Sequence, residues 1–262
     1  MPSSVRHLLW VDLAEGNLHV LARERDQYKI AETMSVSIGK RGFGKMKQGD
    51  KKTPVGVYRL MSQLSDKQLD DFYGNGAFTL NYPNSLDKIR QRDGSGIWLH
   101  GLPKGRNHRP LQDSDGCVVL SNDMLASIAK YVDLQRTPIV LDDGFSWVPG
   151  SENEAERIDL ERAIEAWRAA WSAIDNDRYL GFYARDFTNF EKDLDAWKRY
   201  KQRIHKHKTY IDVRISDLSL LAYPGEQDLA LARFYQKYSS SNFRSAGWKE
   251  QLWRKEEDGQ WR

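Results

Sequence analysis

The sequence has little of three things that would narrow its function at once: cysteine, long apolar runs and charge of one sign. With one cysteine in 262 residues, an internal disulfide is impossible. No segment approaches the roughly 20 consecutive apolar residues of a membrane-spanning helix. The 40 basic and 37 acidic residues leave a formal charge of +3, which is too balanced to indicate a nucleic-acid-binding protein. The length suits one large or two ordinary domains.

The single cysteine, Cys117, lies in the segment 114–122 (SDGCVVLSN), 17 residues after His100. A thiolate is nucleophilic, and an imidazole beside it can lower the thiol pKa and carry its proton, so a Cys/His pair is sufficient for acyl transfer. A lone cysteine is more often a small buried side chain, and the apolar residues 118–120 are typical of a core strand. Gly116 favours the reactive alternative, because it allows a tight turn and an unhindered N–H next to the thiol.

These residues resemble the motif of the YkuD-type L,D-transpeptidases of bacterial cell walls, in which a histidine is followed by a loop and then by Ser/Thr-x-Gly-Cys and an apolar segment that often ends in Asn. The chain supplies His100, residues 114–117 (SDGC) and Asn122 in that order. The resemblance extends over about residues 6 to 145, and three further segments carry it: 37–40 (SIGK), 49–58 (GDKKTPVGVY) and 80–84 (LNYPN).

The resemblance implies roles for the site residues. Cys117 is the expected nucleophile, and His100 is the general base and then the general acid. The carbonyl of Gly101 is expected to hold the second ring nitrogen of His100, so no acidic third member is required. Backbone N–H groups of Gly116 and Cys117 are expected to bind the oxyanion. We expect substrate contacts from four residues within or next to the matching motifs: Tyr82, Ser114, Asp115 and Asn122.

One position departs from the family pattern. Many members carry Arg two residues after the nucleophile, where it is thought to help engage the acyl donor, and this chain has Val119. Three basic residues between His100 and Cys117 are alternative sources of positive charge: Lys104, Arg106 and Arg109. A basic loop is by default only a solvated one. Asp115 also stands where several relatives have His or Arg.

The pattern of the chain changes near residues 149–151 (PGS). Before them, short β-like runs alternate with Gly, Pro and Asp turns, at residues 7–13, 18–23, 55–60, 97–100 and 137–141. One helix is predicted there, at residues 123–132, with Ser121 or Asn122 as its N-cap. This predicts a mainly β catalytic domain at residues 1–148.

Residues 152–262 are predicted to form an α+β domain that resembles the NTF2-like fold, a cone of helices against a curved sheet. An amphipathic helix at 154–176 places Trp167 and Trp171 in the core, and a second helix is expected at 194–205. Three long alternating segments follow, at 209–223, 228–238 and 243–255. Such domains include enzymes as well as ligand- or partner-binding modules, so the fold does not define the function.

Two histidines near the end of the second predicted helix, His205 and His207, alternate around Lys206. Without cysteine or an evident third ligand in this half, we expect a solvated pair at a helix end rather than a metal site. No metal and no cofactor is expected anywhere in the chain.

A YkuD-type domain followed by an NTF2-like domain resembles cell-shape enzymes that trim peptidoglycan stem peptides. The favoured interpretation is an L,D-carboxypeptidase that cleaves a stem tetrapeptide at the L-centre of its third residue and releases D-alanine. An L,D-transpeptidase that forms 3-3 cross-links or attaches another amine remains open, as does chemistry in the NTF2-like pocket. An alternative of another class is a non-catalytic wall-binding protein.

The resemblance also carries expectations about partners and location. Peptidoglycan stem peptides are the expected partners, with no nucleic acid, and the NTF2-like domain is expected to bind a further protein or ligand. A periplasmic location is expected. No secretory signal is visible, since residues 1–4 (MPSS) run almost directly into a strand. A signal or anchor is therefore expected outside this sequence.

Overall fold

The computed structural model describes residues 5–25, 27–144 and 150–262. The described residues up to 144, together with 223–227, form one compact unit, and residues 150–222 and 228–262 form a second. The change of pattern predicted at 149–151 begins at Pro149, which lies outside the described residues, and Gly150 and Ser151 already belong to a helix. Residues 1–4 also lie outside them.

The first unit is built on an eight-stranded sheet. Its strands follow the order β3-β2-β1-β10-β5-β6-β7-β9, and the β1–β10 and β7–β9 pairs are parallel. A separate parallel pair joins β4 and β8. The ten strands are β1 (His7–Asp12), β2 (Asn17–Glu24), β3 (Gln27–Ser35), β4 (Ile38–Gly39), β5 (Gly56–Ser65), β6 (Gly76–Leu80), β7 (Trp98–Gly101), β8 (Gln112–Ser114), β9 (Val118–Leu120) and β10 (Pro138–Asp142).

The core of this unit explains why the central strands form where the sequence predicts them. Leu9 and Val11 of β1 pair with Ile139 and Leu141 of β10, and all four side chains are fully buried. Alternate residues of a strand face the same side of a sheet, so these aliphatic positions form one apolar face. The five predicted β-like runs correspond to β1, β2, β5, β7 and β10.

The sequence pattern did not predict β3 and β6. In β3 only Met34 is buried, because this strand lies at the edge of the sheet and its other side chains contact solvent or are half-buried. It therefore lacks the apolar alternation that identifies a half-buried strand. In β6 the five residues GAFTL begin with glycine and are too short to show a period.

Two helices lie in the first unit, α1 (Ser85–Ile89) and α2 (Asn122–Ile128). The predicted helix at 123–132 corresponds to α2 followed by a 3-10 turn at Ala129–Tyr131. Ser121 is the N-cap of α2, since its hydroxyl accepts the N–H of Met124 at 3.2 Å. The chain therefore turns into a helix directly after β9.

The second unit consists of helices followed by an antiparallel sheet. The sheet has the order β11-β12-β13, and its core is rich in aromatic side chains from both layers. Trp167 and Trp171 are buried there, as predicted. The elements are α3 (Gly150–Ser172), α4 (Asn176–Leu180), α5 (Leu194–His205), β11 (Ile211–Ala222), β12 (Leu229–Ser240) and β13 (Phe243–Arg254). The predicted combination of a mainly β domain and an α+β domain is confirmed.

None of the helices in the described part of the chain has the length and apolar character needed to cross a lipid bilayer.

Candidate active site

Of the two residues predicted to act together, His100 lies in β7 and Cys117 lies directly before the neighbouring parallel strand β9. His100 in β7 pairs with Val119 in β9, and Leu99 pairs with Val118. Extending this register by one residue sets Cys117 opposite Trp98. Side chains two residues apart on a strand point to the same face, so the register brings His100 and Cys117 to one face of the sheet.

His100 is buried and held in one tautomer. Its Nδ1 lies 2.8 Å from the carbonyl oxygen of Gly101. A carbonyl only accepts hydrogen bonds, so Nδ1 carries the proton and Nε2 keeps a free lone pair. Burial lowers the pKa of His100 to about 4, and the charge of Arg109 acts in the same direction. The imidazole is therefore neutral at neutral pH and able to accept a proton at Nε2.

Cys117 is half-buried, and its Sγ lies 3.4 Å from the carbonyl oxygen of Gly96. Burial raises the pKa of the thiol, while a hydrogen bond from the Trp98 backbone and the charge of Arg109 act against this rise. Burial outweighs these two favourable contacts, so the thiol pKa lies above its ordinary value in the resting protein. The resting pair is a neutral thiol and a neutral imidazole.

The turn before the thiol requires glycine. Gly116 has a φ of +126°, and a Cβ there would lie 2.8 Å from the carbonyl oxygen of Lys52. The hydroxyl of Thr53 donates to the Gly116 carbonyl at 3.1 Å and accepts the N–H of Gly39 at 2.9 Å. Thr53 and Gly39 belong to two of the upstream segments that resemble the family. These segments thus meet behind the turn that presents Cys117.

Ser114 forms the other half of this turn. Its hydroxyl donates to the carbonyl oxygen of Cys117 at 2.6 Å and accepts the N–H of Gly116 at 3.0 Å. Ser114 is buried, so its hydroxyl orients the backbone of the turn instead of facing a substrate. The N–H of Gly116 is occupied in this arrangement. This hydrogen bond does not support the predicted role of the Gly116 N–H as an oxyanion donor. Of the two predicted donors, the N–H of Cys117 therefore remains.

The other predicted substrate contacts have different surroundings. Tyr82 is buried, and its hydroxyl donates to the carbonyl of Asp93 at 2.8 Å. The amide oxygen of Asn122 accepts the N–H of Asn75 at 2.7 Å, and its amide nitrogen donates to the Leu102 carbonyl at 3.0 Å. Both side chains therefore hold loops in place.

Asp115 is exposed and lies 3.4 Å from the ammonium of Lys40. Of the four predicted substrate contacts, Asp115 is the exposed one, since Tyr82 and Ser114 are buried and Asn122 is half-buried. Val119 is buried, and its backbone pairs with Ser37 through two hydrogen bonds of 2.8 and 2.9 Å.

Two aromatic residues that sequence reasoning missed complete the surroundings of the base. The ring of Tyr73 lies 5.2 Å from the imidazole of His100 and 4.9 Å from the indole of Trp98, measured between centroids. The charge of Cys117 contributes to a raised pKa of Tyr73, after burial. Phe72 lies 5.9 Å from His100 and is 51% exposed. In the sequence, these two residues appear only as an aromatic pair in the turn-rich segment 70–75 (DDFYGN). This segment has no periodicity that would predict where their rings lie.

One of the two histidines of the second unit differs from the prediction. His205 is buried, not solvated, and its Nδ1 donates to the side-chain oxygen of Asn176 at 2.5 Å. Its ring lies 5.6 Å from Tyr179. The reason is the position of α4 against the end of α5, which the sequence pattern did not reveal. His207 is exposed. Among the described residues, no group of three or more potential ligands could hold a metal ion.

Comparison with known families gives two matches along the chain. Residues 6–141 match the L,D-transpeptidase catalytic domain, YkuD, and residues 159–262 match the Cds6 C-terminal NTF2-like domain. No curated protein matches the chain.

Two solved structures resemble nearly the whole chain. Bd1075 of Bdellovibrio bacteriovorus is 32% identical with a TM-score of 0.81, and the match covers 99% of this chain and 94% of that one. The helical cell shape determining protein Pgp2 of Campylobacter jejuni is 26% identical with a TM-score of 0.81, covering 97% of this chain and 89% of that one. The predicted combination of a YkuD-type domain with an NTF2-like domain is confirmed.

Proposed function

Because the chain belongs to the YkuD family of L,D-transpeptidase catalytic domains and has a peptidoglycan-related function, we propose that it is a cysteine L,D-carboxypeptidase of peptidoglycan stem peptides. In this proposal it cleaves a tetrapeptide after the L-centre of residue 3 and releases D-alanine. The observation that carries the proposal is the tautomer of His100, whose Nδ1 is committed to Gly101 at 2.8 Å while Nε2 is free.

The first half-reaction forms a thioester. Nε2 of His100 takes the thiol proton as Sγ of Cys117 attacks the carbonyl carbon of the third residue. The N–H of Cys117 is a proposed donor to the oxyanion, an interaction typically worth about 10² to 10³ in rate. When the tetrahedral intermediate collapses, the C–N bond breaks and the imidazolium returns its proton to the leaving amine of D-alanine.

The second half-reaction releases the product. Water attacks the thioester carbonyl as Nε2 of His100 takes one of its protons, the C–S bond breaks, and the proton passes to the sulfur of Cys117. The products are the free thiol and a tripeptide carboxylic acid, which then loses its proton to the solvent. Nothing needs to be oxidised or reduced, and the carboxylic acid formed contains the oxygen of the water.

Water is proposed as the acceptor over an amine. A water molecule needs only access to the thioester and a neutral base, and the lowered pKa of His100, about 4 because of burial, keeps that base neutral. An amine acceptor needs a second groove that orients a bulky stem peptide. The buried Val119 in place of the arginine that many transpeptidases carry supports the same preference.

The proposal includes a cellular location and the extents of the two domains. Peptidoglycan lies outside the cytoplasm, so the protein is proposed to act in the periplasm. Residues 1–148 are proposed to form the catalytic domain and residues 152–262 the NTF2-like domain. The similarity to a helical cell shape determining protein supports a role in cell shape.

Incubation with a disaccharide tetrapeptide, followed by mass spectrometry, tests the proposal. We expect tripeptide and free D-alanine from the native protein, and neither from Cys117→Ala with an unchanged melting temperature. A predominant 3-3 cross-linked dimer, or exchange of D-alanine for an added D-amino acid, would show a transpeptidase instead. Undiminished activity in Cys117→Ala would direct attention to the NTF2-like pocket, and no product in either protein would favour a wall-binding role.

A further inference from the structure

Arg109 is a buried arginine in the loop between the proposed base and nucleophile. Its side chain is 6% exposed, and its Nε donates to a carboxylate oxygen of Asp113 at 2.8 Å. Nη2 donates to the backbone carbonyl of the same residue. Nη1 is buried and has no hydrogen-bond partner. A buried guanidinium N–H without a partner is costly, so such a group is a candidate for binding an acceptor from outside.

The position of this guanidinium relates it to the proposed site. Its Cζ lies 5.8 Å from the ring centroid of Phe72, and that ring lies 5.9 Å from the imidazole of His100. The charge of Arg109 also lowers the pKa of both His100 and Cys117, in each case as a smaller effect than burial. Arg109 thus packs against the aromatic ring beside the proposed base, and its charge acts on both proposed catalytic residues.

Lys45, Lys104 and Arg106 do not offer a buried, unpaired N–H like that on Nη1 of Arg109. Lys45 also acts on the thiol, but its ammonium donates to Asp50 at 2.9 Å and to the Lys47 carbonyl at 3.0 Å. Lys104 is paired with Asp71 at 2.9 Å with nearly half of its side chain exposed, and Arg106 is 62% exposed. Of the three basic loop residues that the sequence offered, Arg109 alone is buried beside the site.

The chemistry of the proposed substrate supplies an acceptor at the right place. In a tetrapeptide, the terminal carboxylate is attached to the same carbon atom as the scissile nitrogen. A cation that binds this carboxylate must therefore lie beside the residues that act on the scissile bond. An arginine N–H paired with a carboxylate forms a charge-assisted hydrogen bond, stronger than a neutral one.

We propose that Nη1 of Arg109 binds the terminal carboxylate of the leaving residue and so selects stem peptides that end at residue 4. This inference rests on the proposed function. It gives Arg109 the role of a specificity-determining residue, held by Asp113, in a chain that has the buried Val119 where many relatives place an arginine.

The test compares a disaccharide tetrapeptide with a free terminal carboxylate and the same peptide as its C-terminal amide. We expect amidation to lower kcat/KM of the native protein by about 10- to 100-fold, the range for a hydrogen bond to a charged group. Arg109→Gln should lower kcat/KM for the free acid by a similar factor and change kcat/KM for the amide by less than about twofold. The ratio of kcat/KM for the acid to kcat/KM for the amide should then approach one. Arg109→Lys should restore part of the ratio.

Arg106→Gln is the matched control, because Arg106 lies in the same loop and also faces Asp113, at 3.8 Å, but is exposed. It should keep the native ratio. Equal losses for acid and amide in Arg109→Gln would show that the residue only supports the loop and would overturn the inference. A native protein that does not distinguish the two peptides would overturn it as well.

Calorimetric binding of both peptides to Cys117→Ala, with and without Arg109→Gln, separates this inference from the proposed function. Tighter binding of the acid that is lost in Arg109→Gln supports the carboxylate site even if the native protein turns over neither peptide. If the native protein turns over the acid and the amide with equal kcat/KM, the proposed function is supported and the carboxylate site at Arg109 is ruled out. Absence of binding by either peptide also overturns the inference.

Discussion

The hydroxyl of Ser114 donates a hydrogen bond of 2.6 Å to the carbonyl oxygen of Cys117. The same hydroxyl accepts the N–H of Gly116, so one side chain closes the turn that carries the proposed nucleophile. The serine of the Ser-x-Gly-Cys motif is thus a backbone-positioning residue in this fold.

Ser114→Ala should disturb this turn. The change leaves the buried N–H of Gly116 and one lone pair of the Cys117 carbonyl without their partner, which costs about 1 to 3 kcal/mol per buried group. We expect a lower free energy of unfolding and a loss of kcat/KM of about tenfold or more, because misplacement of a nucleophile is costly in rate. Urea denaturation and a D-alanine release assay provide the two measurements. Ser114→Thr keeps the hydroxyl and is the matched control; losses as large as those of alanine would argue against the hydrogen bonds as the cause.

The pH dependence of kcat/KM should reflect a base with an unusually low pKa. Burial lowers the pKa of His100 to about 4, below the ordinary 6.5, so the imidazole stays neutral until the pH falls toward 4. We expect activity to persist below pH 6.5 and to decline only on further acidification. Measurement of kcat/KM in a series of buffers tests this. An acid limb centred at or above 6.5 would contradict the buried, neutral imidazole.

The thiol should show the opposite behaviour. Because burial raises the pKa of Cys117 above its ordinary 9.0, the thiolate is scarce at neutral pH. We expect the rate of alkylation by iodoacetamide to rise with a midpoint above 9.0. Free cysteine measured in parallel is the control. A midpoint near neutrality would indicate a resting thiolate–imidazolium pair instead.

The buried His205 should make the protein sensitive to acid. Burial lowers its pKa to about 4, and the charges of Lys201 and Lys208 act in the same direction. Between pH 6.5 and 4 the unfolded chain binds more protons at this residue, so its contribution to the free energy of unfolding falls as the pH drops through that window. Above pH 6.5 His205 is neutral in both the folded and the unfolded chain, so its contribution to the free energy of unfolding does not change with pH.

Melting temperatures at about pH 7 and about pH 5 should therefore differ less in His205→Gln than in the native protein. His207→Gln is the matched control, because this neighbouring ring is exposed in the folded protein as it is in the unfolded chain. It should retain the native difference. Identical pH effects in all three proteins would show that His205 does not titrate in this way.

Residues 223–227 belong to the same compact unit as the described residues up to 144, and a catalytic domain ending at residue 148 would not contain them. The side-chain nitrogen of Asn84 donates to the hydroxyl of Tyr223 at 2.7 Å, and Arg90 pairs with Glu226 at 2.8 Å. Tyr223→Phe removes a buried acceptor and should lower the free energy of unfolding by about 1 kcal/mol.

Tyr210→Phe, at an exposed position, should leave the free energy of unfolding unchanged in the same urea experiment. We also expect a fragment of residues 1–148 to melt below the full chain, because it lacks both partners. If the fragment is as stable as the full chain and Tyr223→Phe does not change the free energy of unfolding, residue 148 is an adequate domain boundary.

By itself, the sequence determined the elements whose side chains repeat with a clear period and the motif residues that are adjacent in the chain. The strands β1 and β10 were recognisable as short, almost continuously buried apolar runs, and α5 was predicted at its observed bounds. The segment around Cys117 and the glycine at 116 were visible because a tight turn needs residues that are neighbours in sequence. Edge strand β3 was missed, because a strand with one buried side chain has no pattern to detect.

The tertiary structure alone decided the protonation states and the partners of the site residues. Whether the thiol pKa rises or falls depends on burial by strands that are distant in the chain, and burial outweighed the neighbouring charges. Asn122, expected at the substrate, is engaged by backbone groups of Asn75 and Leu102, which only folding brings near it. Arg109 was one of three equivalent cations in the sequence, and its burial beside Phe72 distinguishes it. Desolvation and long-range hydrogen bonding act through space, so no spacing along the chain encodes them.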